Sequence, residues 1–324
     1  MFFKMNDEEI TNLILEKIGE YAEANNGLIP LSEFVKKCLF EYEYSYYRAN
    51  RIRTGTKGDF YTSSNLKGAM FAELLLDGAE SILGKAPEKI IEIGAEPDRE
   101  LFENSESLRL GSKLEISGED IFVFSNELLD SRPFDRFLYE RNKWKKLYLA
   151  PVQGGSFSEV YCGAAEAECE VLSKNFPEAF DGFVVDFSFD ALDMFGKICS
   201  QKWTGLLLFI DYFRTAHELY AFGKGTARRY KNMVESLDIY SMAGVSDLTY
   251  SPQIEPLEAV LKNCGFANAN YCTQENFFMK NSQKKLCDIV ANTDPLSPKK
   301  RALMELISPD YFGSVFRCLF ATRK

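Results

Sequence analysis

Lys89-Ile90-Ile91-Glu92-Ile93-Gly94 is a short apolar run closed by a glycine, the pattern of a buried parallel strand that enters a βα turn. Two further runs share the pattern. Ile121-Phe122-Val123-Phe124 ends in Ser125-Asn126-Glu127, and Gly205-Leu206-Leu207-Leu208-Phe209-Ile210-Asp211 is the clearest buried strand of the chain. Gly182-Phe183-Val184-Val185-Asp186 reads as another strand of the same sheet, and residues 315–321 as a late one. Helical periodicity fills the intervals at about 65–83 and 192–201. Strands separated by helices predict an α/β fold with a Rossmann-like, doubly wound parallel sheet.

Upstream of this core, Asn6 followed by Glu9 forms a capping-box signature. It opens a helix with Ile10, Leu13, Ile14, Ile18 and Tyr21 at helical spacing, ended by Asn25-Asn26-Gly27. A second helix is expected from about Leu31 to Tyr42, and the basic, Gly-containing stretch Arg51 to Lys57 as a loop. Downstream, Arg136 to Leu149 alternates around Arg141-Asn142-Lys143, which predicts a hairpin. The domain reading is an N-terminal helical region with a cleft-covering segment over 1–87 and an α/β core over 88–324. The weakly patterned segment 150–178 is an excursion from that core, part of a smaller inserted lobe.

Composition narrows the function. The 324 residues are 46% hydrophobic and 14% aromatic, enough for a full core and too apolar for a disordered chain. Asp and Glu outnumber Lys and Arg by 48 to 38, a net charge of −10 without a long basic run, which argues against nucleic acid as the main ligand. The acidic balance suits either a basic protein partner or simple solubility. Eight scattered cysteines show no Cys-x-x-Cys pair and no zinc-like spacing, so they read as reduced core residues and no metal site is expected. The start, Met1-Phe2-Phe3-Lys4, is too brief for a secretory signal. The longest strongly apolar stretch, Leu206 to Ile210, is far short of the roughly 20 residues that a membrane helix needs. The expected address is the cytoplasm.

In open parallel sheets ligands bind beyond the carboxyl ends of the strands. The residues there are Glu92 to Asp98, Asn126 to Asp130, and Asp211 with Tyr212. Polar groups at all three ends point to a site, although any one of them also suits a helix cap.

Five ordered fragments then carry a resemblance. Gly58-Asp59-Phe60-Tyr61-Thr62, Ile91-Glu92-Ile93-Gly94-Ala95, Asn126-Glu127-Leu128-Leu129-Asp130-Ser131-Arg132-Pro133-Phe134, Ile210-Asp211-Tyr212 and Gly225-Thr226-Ala227-Arg228-Arg229-Tyr230 occur in the order seen in the MidA family, which the chain resembles from about Leu31 to Gly265. The resemblance implies a class I methyltransferase fold that uses S-adenosylmethionine; mitochondrial members of the family methylate an arginine of a respiratory complex I subunit. It places Asp59 and Thr62 on a segment over the cofactor, and Glu92 and Gly94 at its methionine end. It puts Asn126, Glu127 and Asp211 around the reacting centre, with Asp130 and Tyr212 toward the substrate. An arginine acceptor would favour a carboxylate that grips a planar guanidinium by two hydrogen bonds. Glu127 is the first choice for that grip and Asp211 the second; the competing reading of Glu127 is a helix N-terminal residue favoured by the macrodipole.

Two features depart from the family. Its first βα turn reads Glu-x-Gly-x-Gly-x-Gly, whereas this chain has Glu92-Ile93-Gly94-Ala95-Glu96-Pro97-Asp98, with one glycine kept. Between Ala95 and Ile121 there are too few residues for a helix, a strand and a second helix, so the acid that would hold the ribose is hard to place. Glu115 is the best candidate by its distance from Gly94, with Glu103 too close. Two readings therefore stand: an S-adenosylmethionine-dependent methyltransferase acting on a protein side chain, arginine first, and a methyltransferase fold without catalysis that serves as a protein-binding or assembly factor. Other chemistries fit worse. His217 is the sole histidine and no nucleophile elbow is present, and Gly223-Lys224-Gly225-Thr226 lacks the full spacing of a phosphate loop.

Overall fold

A computed structural model of the protein describes residues 5–49, 51, 53–55, 58–60, 63–96, 100–152, 156–294 and 297–324. The chain forms two compact units, each assembled from separate stretches of sequence. The first comprises Met1–Phe60, Asp130–Asp193 and Arg214–Glu255; the second comprises Tyr61–Leu129, Met194–Phe213 and Pro256–Lys324. The boundary expected between 87 and 88 falls inside the second unit, and 150–178 lies wholly in the first.

The second unit holds a six-stranded sheet whose strands are numbered here in chain order: β1 (Lys89–Ile93), β2 (Glu106–Leu108), β3 (Gly118–Asn126), β4 (Trp203–Asp211), β5 (Ala267–Thr273) and β6 (Arg317–Arg323). Their spatial order is β5-β6-β4-β3-β1-β2. The pairs β2·β1, β1·β3 and β3·β4 are parallel, whereas β6 runs antiparallel to β4, and β5 to β6. The apolar runs become the inner strands because both of their faces are covered. Phe71, in the helix Ser63–Leu83, packs at 6.2 Å on Phe124; on the other face Phe195, in the helix Phe189–Cys199, packs at 5.2 Å on Phe209. Helices on both faces make the sheet doubly wound, as the strand and helix alternation requires.

The first unit is built on an antiparallel sheet. Ile29–Pro30, Lys143–Val152, Asp135–Glu140 and Val184–Phe187 lie side by side in that order, and Ser156–Gly163 extends from Lys143–Val152. The hairpin turn has Arg141 and Asn142 at φ +51° and +61°, the left-handed pair that two-residue hairpin turns require. The expectation for 182–186 needs correction here. Val184–Phe187 is a strand, but it pairs antiparallel with Asp135–Glu140 rather than joining the parallel sheet. A short apolar run records burial and not the identity of its neighbour.

The N-terminal helix Asp7–Ala24 starts on the expected capping box, with Glu9 N donating to Asn6 Oδ1 (2.9 Å) and Asn6 N to Glu9 Oε2 (2.8 Å). Asn6→Ala is expected to destabilise the protein by about 1 kcal/mol, read as a lower urea midpoint with an unchanged slope. The second expected helix is Leu31–Lys36 followed by a π-helical turn, Lys37–Glu41. All eight cysteines are free thiols, and burial pushes that of Cys38 up to about 12. Among the described residues no helix is long and apolar enough to cross a membrane, and no group of His, Cys, Asp and Glu could hold a metal ion.

Candidate functional site

From β1 the chain moves outward to β2, then returns across β1 to β3 on the other side. That reversal puts the topological switch point between the carboxyl ends of β1 and β3, where an open α/β sheet leaves a crevice. Glu92 and Gly94 stand on one side of it, Asn126 and Glu127 on the other. Gly94 is exposed, has φ +81° and donates its N–H to Leu108 O (2.9 Å). A Cβ at this position would sit 2.9 Å from Leu128 Cδ1, so both backbone angle and close approach call for glycine. Ser125 Oγ donates to Ile93 O (2.9 Å) and stitches β3 to β1 just below the tips.

Glu92 is 9% exposed and in register with Ser107 of β2 and Phe124 of β3. Two polar atoms near these tips, Ser107 Oγ and Asn126 Oδ1, are buried and have no hydrogen-bond partner among the described residues. A buried orphan acceptor or hydroxyl costs about 1–3 kcal/mol, a penalty that a ligand donor would remove.

Glu127 sits at the turn out of β3. Its backbone has φ +50°, unusual for a residue with a side chain, and its N–H donates to Ile210 O (2.8 Å). Its Oε1 accepts from Asn126 Nδ2 (2.7 Å). No helix follows: bends and turns lead directly to Asp135–Glu140. The helix N-terminus reading of Glu127 therefore falls, because its left-handed backbone turns the chain away from a helical path.

Asp211 is fully buried. Its Oδ2 accepts from Leu129 N (2.9 Å) and its Oδ1 from Tyr212 N (2.7 Å). Both oxygens thus bind backbone, and the carboxylate acts as a strut between the end of β4 and the turn that carries Asn126 and Glu127. Tyr212 is half-buried, its ring 4.8 Å from that of Phe316 at the edge of the core.

The remaining candidates lie elsewhere. Glu115 is exposed, paired with Lys113, and stands three residues ahead of β3. Its neighbour Ile116 donates N–H to Gln201 Oε1 (2.7 Å), just ahead of β4. This is the edge where the parallel strands begin, opposite to Gly94. Glu103 precedes β2 and is on the same side. Counting residues from Gly94 misled because β2 has three residues and the chain turns back at once. The groups at the end of β2 are Ser107 and Arg109, whose Nε donates to Glu96 O (3.2 Å). Sequence reasoning missed both, since three residues are too few to show a strand period.

Thr62, Pro97 and Asp98 lie outside the described residues. Asp59 and Asp130 belong to the first unit. Asp59 is 4% exposed and accepts from Tyr46 Oη and from Asn232 N, each at 2.9 Å, while its carbonyl accepts from Met233 N. Burial and the Asp247 and Asp59 carboxylates hold the Tyr46 phenol well above its usual range. The buried Asp130 accepts from Tyr250 N (3.0 Å) through its carbonyl. Gly225 and Ala227 lie against a buried pair in which Arg136 Nε and Nη2 meet the Asp186 carboxylate at 2.7 and 3.1 Å, and Ala227 N donates to Asp186 (2.7 Å). The Gly225 to Tyr230 fragment thus anchors the first unit. His217 is exposed in the first turn of the helix Ala216–Phe222.

Comparison with known proteins gives three findings. The family described as "Putative S-adenosyl-L-methionine-dependent methyltransferase" matches residues 103–272. No curated protein matches the chain. Two Burkholderia thailandensis crystal structures are similar over the whole chain at 19% identity, each covered to 95% of its length. One, with a TM-score of 0.85, is a superfamily member described as a "likely methyl transferase" bound to S-adenosyl-homocysteine. The other, with a TM-score of 0.81, is an uncharacterised protein of the same superfamily.

Proposed function

The chain belongs to this family of S-adenosyl-L-methionine-dependent methyltransferases, and we propose that it binds S-adenosylmethionine at the tips of β1 and β3 and methylates a protein side chain. Arginine is the acceptor favoured by the resemblance to the MidA family. The observation that carries the reading is the gathering of an exposed glycine backbone, a buried carboxylate and an orphan amide oxygen at one switch point.

These residues fit the cofactor. The open backbone at Gly94 lets a ligand approach, Glu92 is placed to accept from N–H or O–H groups, and Asn126 Oδ1 has no donor among the described residues. When bound, the cofactor supplies an electrophilic methyl group, and the chain's own task is alignment of the acceptor and exclusion of water. Glu127, fixed by Asn126 and by Ile210 O, offers a carboxylate for two hydrogen bonds to a guanidinium. Asp211 holds the turn beneath them, and Tyr212 lies toward the acceptor.

Calorimetry tests the binding step. Saturable 1:1 binding of S-adenosylmethionine and S-adenosylhomocysteine is expected, weakened about tenfold in Asn126→Ala, as for loss of one hydrogen bond to a charged group, and unchanged in Glu115→Gln. No heat at millimolar ligand overturns the proposal. Methyl label recovered on lysine alone would remove arginine as acceptor and leave the transferase.

A second reading is a non-catalytic methyltransferase fold that serves assembly. Leu128, packed against Gly94, and the lack of a carboxylate at the end of β2 favour it. The same calorimetry separates the two, since this reading expects a stable fold that takes up neither ligand.

A further inference from the structure

Three short helices, Gln274–Asn281, Gln283–Asn292 and Pro298–Ile307, pack through Phe278, Ile289 and Leu306 on the core of the second unit. Their outer sides are not neutral. Across residues 274–307 the sequence has six Lys and Arg residues against four Asp and Glu, a local excess of positive charge in a chain whose net charge is −10. Lys280, Lys284, Lys299 and Arg301 are exposed and make no ion pair among the described residues, whereas Lys285 is paired with Glu73 at 3.0 Å. Set among them are Met279, Val290 and Met304, each more than half exposed.

Unpaired cations on adjacent helices repel one another, and carboxylates from outside relieve that repulsion. We propose that this face docks an acidic segment of a partner protein, one with carboxylates spaced among apolar side chains. The mixture decides the class of partner. A nucleic acid needs a continuous basic track, whereas here the cations are interrupted by the exposed Asp288 and Asp294 and by the three apolar side chains. Insertion into a membrane surface needs a continuous apolar helix face, and here each helix turns its apolar face to the core and shows one large apolar side chain outward.

The test uses the full chain and a fluorescent peptide of repeating Glu-Glu-Leu at low salt. Saturable binding is expected, at least about tenfold weaker in the Lys284→Glu/Arg301→Glu double variant, as for loss of complementary charge. The melting temperature and S-adenosylhomocysteine binding should stay unchanged. Lys143→Glu, an exposed lysine of the first unit, should bind the peptide like the parent. Failure to bind, equal loss in Lys143→Glu, or tighter binding to phosphatidylserine vesicles or a DNA duplex overturns the proposal. None of these outcomes bears on the methyltransferase reading.

Discussion

Replacement of Asp211 by alanine is expected to lower the free energy of unfolding by about 3–5 kcal/mol and to abolish binding of S-adenosylhomocysteine. Hydrogen bonds to a charged group contribute about 1.5–3 kcal/mol each, and the fully buried Asp211 carboxylate accepts from both Leu129 N and Tyr212 N. Alanine leaves both N–H groups buried without an acceptor. The damage reaches the site because Leu129 closes the turn that begins at Asn126, and a strut that fails lets that turn move. Asp211→Asn keeps the shape and one oxygen but turns an amide N–H₂ toward a backbone donor, so about half of the destabilisation should remain. Urea denaturation gives the stability and calorimetry the ligand. If Asp211→Asn binds S-adenosylhomocysteine normally yet transfers no methyl group, the carboxylate touches the acceptor and is not a positioning strut.

The distinction between strut and contact could not be read from the sequence. An aspartate after an apolar strand looks the same whether it faces a ligand or caps its own backbone, and the strand pattern located Asp211 without its partners. The strand tips were legible because burial on both faces leaves a near-continuous apolar run, as in Leu206 to Ile210, each at most 1% exposed. The capping box at Asn6 was legible because it is local, closed within three residues. What depended on distant partners was not. Val184–Phe187 carries the apolar signal of a sheet strand, yet its pairing with Asp135–Glu140 puts it in the other unit. Segment 150–178 showed little pattern because Ser156–Gly163 is half-buried at best along its length. Glu127 was weighed as a helix start because nothing in the sequence marks a left-handed backbone at a residue other than glycine.

Gly205→Ala is expected to prevent the second unit from folding, with a cost above about 4 kcal/mol, beyond what most single substitutions cause. Gly205 lies in β4 opposite Ile121 of β3 and Arg323 of β6, where the β3–β4 register shifts. Its φ is +129°, and an added Cβ would stand 2.1 Å from Ile121 O and 2.5 Å from Ile121 N. These are backbone atoms of the adjoining strand, so no rotamer change can make room; only separation of β3 from β4 can. A glycine within a strand commonly marks such an approach. The pairing at risk is the one that carries Asn126 and Asp211 to the same edge of the sheet, so site and fold should be lost together. Gly196→Ala is the control: it lies inside the helix Phe189–Cys199, its Cβ would meet nothing within 4 Å, and it should stabilise the protein by about 0.5–1 kcal/mol. Soluble yield and thermal unfolding decide between the outcomes. A Gly205→Ala protein that melts within a few degrees of the parent would mean that β3 and β4 do not pair in this register, and the arrangement of Asn126, Glu127 and Asp211 would have to be drawn again.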